Sequence, residues 1–346
     1  MARLLIHAFN IHQGGGATLL TGLLQKIPNN IKVVVSIDLR MQIPDGLPKC
    51  VSFEYVKPTF FGRLLAEYWL ACISRESDQV LCFGNLPPLF KVKGYVSVFI
   101  QNRYLVDKKR FLMRLPPRLA IRLMAERIWL KLFKKRANRF LVQTASMKSL
   151  IKKQLQANAV LAPFAPDLVI NFASPDNNSQ KHRFNFLYVA SGEVHKNHKI
   201  LVDAWSLLSI EGLFPTLALT LDQGDAAELL EHINNECKLY KLNINNLGRL
   251  KHHKLIKLYR ECGALIYASD FESFGLPIIE ARNAGLDIIA PELDYVRDVL
   301  DPIETFDPSS AMSISRAIKR YMKVKMVPFK IITADEFIGK VMGSHQ

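Results

Sequence analysis

Residues 270–281 read Asp270-Phe271-Glu272-Ser273-Phe274-Gly275-Leu276-Pro277-Ile278-Ile279-Glu280-Ala281. Pro277 stands where a first helical residue is expected, directly after a glycine that frees the preceding turn, so the stretch predicts a helix opening near Leu276. The first amides of such a helix lack partners within it and carry partial positive charge, which suits a diphosphate. Glu272 falls in the loop before the helix, and Glu280 on its first turn leans back toward the N-terminus. Carboxylates would repel a phosphate they touched, but as acceptors they suit sugar hydroxyls on either side of it, one holding a ribose and the other a hexose. Two acids at this separation arise by chance in any chain. The phenylalanine, glycine and proline between them make the pattern specific.

On both sides of this stretch, short buried-strand runs alternate with amphipathic helices. Downstream of residue 183 the expected strands are Phe184–Ala190, Thr216–Leu221, Asn243–Leu247, Ala264–Ala268, Asp287–Ala290 and Ile303–Phe306. The helices among them are Lys199–Leu208, Asp225–Lys238, Lys251–Glu261, Pro277–Asn283 and Ser309–Tyr321. The first half repeats the theme, with strands at Arg3–Phe9, Lys32–Ile37, Gln79–Phe83, Tyr95–Gln101 and Arg139–Gln143, and helices at Ala17–Lys26 and Thr144–Gln154. Such alternation predicts an α/β protein with mostly parallel sheets covered by helices on both faces. Ligands of such sheets bind at the carboxyl ends of the strands, here in the cleft between two domains. A length of 346 residues also fits two cores rather than one. The stretch from Pro163 to Lys181 holds three prolines and three asparagines with little periodicity, so the linker is expected there. The division is a first Rossmann-like domain at 1–165, a linker at 166–182, a second such domain at 183–326, and a tail at 327–346 ending in a short helix from Asp335 to Val341.

Glu272 to Glu280, with Phe274-Gly275-Leu276-Pro277 between them, resembles the E-x7-E signature of the family 4 glycosyltransferases, a retaining group 1 type with the GT-B fold of two facing Rossmann-like domains. Asn246-Leu247-Gly248, the run from Leu258 to Ser269, and Ala284-Gly285-Leu286-Asp287-Ile288-Ile289-Ala290 resemble the elements flanking that signature. The resemblance covers most of the second domain and is looser over the first. It implies that Glu280 holds the ribose of a nucleotide diphosphate sugar, Glu272 the transferred sugar, and the amides of Phe274, Gly275 and Leu276 the sugar and diphosphate. It also implies transfer of a hexosyl group to a hydroxyl of a glycan acceptor with retention, the departing phosphate taking the proton so that no enzymic base is needed. No cofactor is expected.

Three further segments bear on the same chemistry. Gly192-Glu193-Val194-His195-Lys196-Asn197 follows the first strand of the second domain, and Lys196 is placed to neutralise a leaving diphosphate. Members of the resembling family pair this lysine with an upstream arginine, but Ala190 and Ser191 occupy that region here. Arg249 or Arg103 is the candidate substitute. Gly14-Gly15-Gly16, expected as a loop after the first strand, lets backbone approach a phosphate or donor closely. It lacks the G-x-G-x-x-G spacing, so a dinucleotide cofactor is disfavoured even with Asp38 nearby. His7 and His12 flank this loop and read as structural histidines. The strand end Phe99-Ile100-Gln101-Asn102-Arg103 has no histidine where many family members carry one. Asn102 is the candidate there to donate to a sugar hydroxyl, and Arg103 to meet a phosphate. No D-x-D triplet occurs, so no metal site is expected and amides and cations must stabilise the leaving group.

A 49% hydrophobic and 22% charged composition is that of a chain with full-sized cores. The net charge of +15 is concentrated: sixteen Lys/Arg against Asp107 and Glu126 fall between Arg103 and Lys153. From Leu115 to Phe133 these cations interleave with Leu, Ile, Met and Trp129 at helical spacing, as in helices lying on anionic bilayers. An ordinary solvated basic helix gives the same pattern. A nucleic-acid partner is disfavoured, because no aromatic platform or recognition motif accompanies the charge. The odd count of five cysteines, without C-x-x-C spacing, points to reduced thiols. The first residues are too short an apolar run for a signal peptide, and no stretch approaches a spanning length. The expectation is therefore a cytoplasmic enzyme, peripheral on the inner face of the membrane, acting on a lipid-linked acceptor in bacterial surface-polysaccharide or lipopolysaccharide synthesis. The rivals are a nucleotide-sugar epimerase of the same fold and, more remotely, a non-enzymic basic protein that binds nucleic acid.

Overall fold

Val33-Val34-Val35 and Phe186-Leu187-Tyr188 are continuous apolar runs, the pattern of strands covered on both faces. In the computed structural model, which describes residues 3–107, 116–165 and 182–325, they lie inside two parallel sheets. The first sheet contains β1 (Leu4–Ala8), β2 (Val33–Asp38), β3 (Val51–Val56), β4 (Gln79–Cys82), β5 (Tyr95–Phe99), β6 (Arg139–Val142) and β7 (Ala159–Leu161). Its order is β3-β2-β1-β4-β5-β6-β7. Leu5 of β1 pairs with Val34 on one side and Val80 on the other. The helices are α1 (Gly14–Gln25), α2 (Phe60–Ile73), α3 (Pro117–Phe133) and α4 (Ala145–Leu155).

Neighbouring residues of a strand face opposite sides of the sheet, and the cores follow that alternation. Ile6 packs with Leu19, Leu20 and Leu24 of α1. Leu5 packs in a second cluster with Leu70 of α2, Leu123 and Leu130 of α3, and Met147 and Ile151 of α4. Thus α1 covers one face, and α2, α3 and α4 form a single layer on the other.

The second sheet is also parallel, with β8 (Phe184–Tyr188), β9 (Leu217–Leu219), β10 (Ile244–Asn246), β11 (Cys262–Ile266), β12 (Asp287–Pro291) and β13 (Glu304–Phe306). Its order is β10-β9-β8-β11-β12-β13. Around it lie α5 (His198–Ile210), α6 (Ala227–Tyr240), α7 (His252–Glu261), α8 (Leu276–Asn283), α9 (Asp294–Arg297) and α10 (Ala311–Tyr321). Trp205 of α5 is fully buried against Phe186 and donates its indole N–H to Pro215 O at 2.9 Å, so its polar atom is satisfied.

Strand order reverses direction between β1 and β4 in the first sheet and between β8 and β11 in the second. Loops leaving neighbouring strands at such a point diverge and open a crevice. The loops after β8 and β11 carry Lys196 and Glu272.

The architecture is the GT-B fold read from the sequence, with three departures. Gly14, Gly15 and Gly16 are not a loop but the first turn of α1, entered through an extended Gln13. The edge strand β3, helix α2 and strand β7 lie in stretches to which the sequence pattern assigns no element. The basic helix begins at Pro117 rather than Leu115, a position where proline forfeits no intrahelical bond. Apart from His182, the expected linker lies outside the described residues, as does the helix expected from Asp335 to Val341.

Candidate active site

The start of α8 is fixed by Gly275, which adopts φ +75°. A Cβ at this position would stand 3.1 Å from Ile278 Cδ1 and 3.5 Å from Tyr295 Cε2, so both the backbone and the close packing call for glycine. Pro277 occupies the first turn. The buried Tyr295 hydroxyl donates to Ser269 O at 2.7 Å and ties the preceding loop to the helix that follows β12.

Glu272, on that loop, accepts at Oε1 from the Lys196 ammonium and from the Tyr267 hydroxyl, the latter at 2.9 Å. His195 Nε2 stands 4.0 Å from the same oxygen. Burial alone would push this carboxyl up, but Lys196, His195 and the hydrogen bonds more than reverse it, so its proton affinity lies below the usual glutamate range. Tyr267, buried beside it, is pushed far above the ordinary phenol range, first by burial and then by the Glu272 charge, and so stays a donor.

Glu280 is held differently. Its Oε2 accepts from the Tyr259 hydroxyl at 3.0 Å, and its Oε1 lies 3.8 Å from His252 Nδ1. Burial pushes its carboxyl above the usual range, against the opposing pull of His252 and Tyr259. Each acid of the motif thus sits beside a phenol and an imidazole, and Glu272 alone of the two also meets a lysine.

The first domain faces this cluster. A Cβ on Gly15 would lie 3.2 Å from Leu276 Cδ1, so the N-termini of α1 and α8 meet across the gap. Arg103 Nη1 donates to Glu272 O at 3.3 Å while its guanidinium lies over Phe271 at 4.9 Å. It also pairs with Asp107. Thr144, the N-cap of α4, donates through Oγ1 to Ser273 O at 3.2 Å. Asn102 is tied into its own turn: its Oδ1 accepts from Tyr104 N at 3.0 Å, which leaves the amide N–H groups as its donors. His7 is structural, buried with Nδ1 2.6 Å from Ser36 Oγ. Asp38 is engaged by Arg40, with Nη2 to Oδ2 at 2.7 Å.

A cavity of about 800 Å³ lies between the two domains and borders this junction at Gly14. Its first-domain wall includes His12, Gly14, Thr18 and Arg40, and its second-domain wall Arg249, Lys251 and His252. His252 connects it to Glu280.

The structure therefore brings Lys196, Glu272, Arg103, Gly15, Phe274, Gly275 and Leu276 to one place. Glu280 lies a helical turn away, and Arg249 at the cavity. Tyr259, Tyr267, His195, His252 and Thr144 were not singled out in the sequence. Both tyrosines fall inside the run from Leu258 to Ser269, yet nothing in that run shows which hydroxyls meet an acid from the next segment.

Comparison with known proteins bears on the same region. Residues 169–333 match the family model described as glycosyl transferases group 1. The serotype-specific mannosyltransferase WbdA of Escherichia coli is 25% identical over 216 residues, covering 56% of this chain and 26% of WbdA. The chain thus spans about a quarter of the length of the curated relative it matches. Among solved structures, Anabaena Alr3699/HepE in complex with UDP and glucose superposes with a TM-score of 0.67 at 13% identity, over 94% of this chain and 90% of that one. The apo lipopolysaccharide outer core galactosyltransferase WaaB gives 0.60 at 16% identity over 100% of both chains. At such identities these two structures speak to the fold.

Proposed function

On the premise that residues 169–333 match the group 1 glycosyl transferases and the described residues adopt a GT-B fold, we propose that the protein is a retaining glycosyltransferase. It moves a hexosyl group from a nucleotide diphosphate sugar to a hydroxyl of a glycan acceptor. The observation that carries this reading is the Lys196–Glu272–Tyr267 cluster at the N-terminus of α8, faced by Arg103 of the other domain.

In this reading the diphosphate lies against the first amides of α8, where charge and unpartnered donors favour it. Lys196 stabilises the negative charge that develops on the leaving phosphate, the step that dominates glycosyl transfer. Ionised Glu272 accepts hydrogen bonds from sugar hydroxyls, and Tyr267 and Lys196 fix its orientation. Glu280 holds the ribose, and the nucleoside extends toward the cavity beside His252. Arg103, already at the Glu272 backbone, and Arg249, at the cavity wall, supply the cation missing at Ala190 and Ser191. Retention rests on the resemblance of the motif, with the departing phosphate taking the acceptor proton on the same face. The likeness to WbdA and WaaB supports an acceptor of the surface-polysaccharide type. A lipid-linked one fits the basic segment 103–153, which would rest on the anionic inner face of the membrane. No described helix is long and apolar enough to cross a membrane.

The test is incubation with a panel of nucleotide sugars, following thermal shift and slow donor hydrolysis. One donor is expected to stabilise the protein, and Glu280→Ala is expected to lose at least about 100-fold in kcat/KM while keeping its circular dichroism spectrum. Normal turnover by that variant removes the donor-site assignment. Donor conversion without release of the nucleotide identifies an epimerase instead, and steeply salt-dependent DNA binding without nucleotide-sugar affinity identifies a nucleic-acid-binding protein.

A further inference from the structure

Helix α2 turns an apolar stripe toward solvent. Phe61, Leu65, Tyr68 and Cys72 follow the spacing of one helical face, and Phe60 adjoins the first of them. Phe60, Phe61, Leu65 and Tyr68 are between 60% and 77% exposed, whereas Ala66 and Leu70 on the opposite face are buried. A helix on the surface of a globular protein normally carries charged or polar residues along this line. Single exposed apolar residues need no explanation, but three large ones in register with a fourth beside them do.

The neighbouring helix repeats the pattern. On α3, Ile121, Met124, Ile128 and Leu132 are exposed at helical spacing, Ile121 and Leu132 each at 70%. Both helices bury their other side in the same core cluster, so the two stripes look outward from one layer. Arg63 of α2 stacks on Trp129 of α3 at 4.9 Å and on Phe9 at 4.7 Å, bridging them. The exposed charges of the layer are all of one sign: Arg118, Arg122 and Lys131 on α3, and Lys148, Lys152 and Lys153 on α4. Its two acids, Glu67 and Glu126, are buried.

We propose that α2 and α3 together form a face that inserts into an anionic phospholipid bilayer. Phe60, Phe61 and Leu65 enter the acyl boundary, Tyr68 sits at the interface, and the cations of α3 and α4 meet headgroup phosphates. Apolar burial and charge attraction add in such binding, and neither alone explains both features. A second copy of the same face is a poor occupant, because it would set like charges against each other. The proposal deepens the membrane reading given above, which used only residues 103–153, and it is independent of the donor site.

The test is co-sedimentation of the full chain with vesicles of phosphatidylcholine alone or mixed with phosphatidylglycerol. Binding to the mixed vesicles and weak binding to the neutral ones is expected. The double variant Phe61→Ser/Leu65→Ser is expected to bind mixed vesicles about tenfold or more weakly, with unchanged circular dichroism and nucleotide-sugar thermal shift. In a Phe61→Trp protein, the added indole fluorescence should be quenched by brominated lipid. Unchanged vesicle binding by the double variant, together with unquenched indole fluorescence in the Phe61→Trp protein, overturns insertion by α2 and leaves only adsorption by the basic segment. Absence of wild-type binding to either vesicle overturns both. A dimer in solution that the double variant abolishes, without vesicle binding, makes the face a contact between copies instead.

Discussion

His198 opens α5 in the second core, its ring 4.8 Å from that of Tyr188, and neither of its nitrogens has a hydrogen-bond partner. Burial, reinforced by Lys196 and His195, lowers its pKa to about 3. The sign of the consequence follows from which state takes the proton. Below the ordinary histidine value of about 6.5 the unfolded chain is protonated while folded His198 stays neutral, so stability is lost as pH falls from there toward 3. One such group contributes a slope of up to about 1.4 kcal/mol per pH unit. His198→Phe is expected to flatten the acid limb by that amount, read from urea unfolding between about pH 7 and about pH 4. An equal slope in the variant would mean that the imidazole is solvated or protonated in the fold.

At the scale of elements, the start of α8 is the most demanding feature. Gly275→Ala forces a side chain into φ +75° and against Ile278, and is expected to cost about 2 kcal/mol, seen as a lower Tm, with a weaker nucleotide-diphosphate thermal shift. An unshifted Tm would show that the turn relaxes freely. This helix was legible because glycine and proline punctuate it, and the acids on either side could be placed by counting. Helix α2 was not, because periodicity reveals a helix only when one face is polar, and here Phe61, Leu65 and Tyr68 make the outer face as apolar as the inner. Strand β3 was hidden for a related reason: it is an edge strand with Glu54 and Tyr55 exposed, lacking the unbroken apolar run of its neighbours. Asn102 and Arg103 adjoin in one turn, yet only the tertiary fold decides that Asn102 caps its own turn while Arg103 crosses to the other domain.

Across the whole molecule, polar contacts between described residues join the two halves. Arg103 to Glu272 O, Thr144 to Ser273 O and Ser146 N to Asp298 Oδ2 at 2.8 Å are three of them. Tyr104 adds ring contacts to Phe271 at 4.5 Å and His195 at 5.8 Å. Arg103→Ala removes a guanidinium that both donates to the loop and lies on Phe271. It is expected to widen the interdomain angle, giving a larger radius of gyration by small-angle scattering, and to raise the donor KM by roughly tenfold. Unchanged scattering with a raised KM would confine Arg103 to substrate contact. Arg103, Thr144 and the backbone at Gly15 all bear on the short run from Glu272 to Leu276, the same run that the proposed function sets against the donor. Parting of the halves would therefore also dismantle the pocket, and under the proposed function spent nucleotide would leave by that same motion.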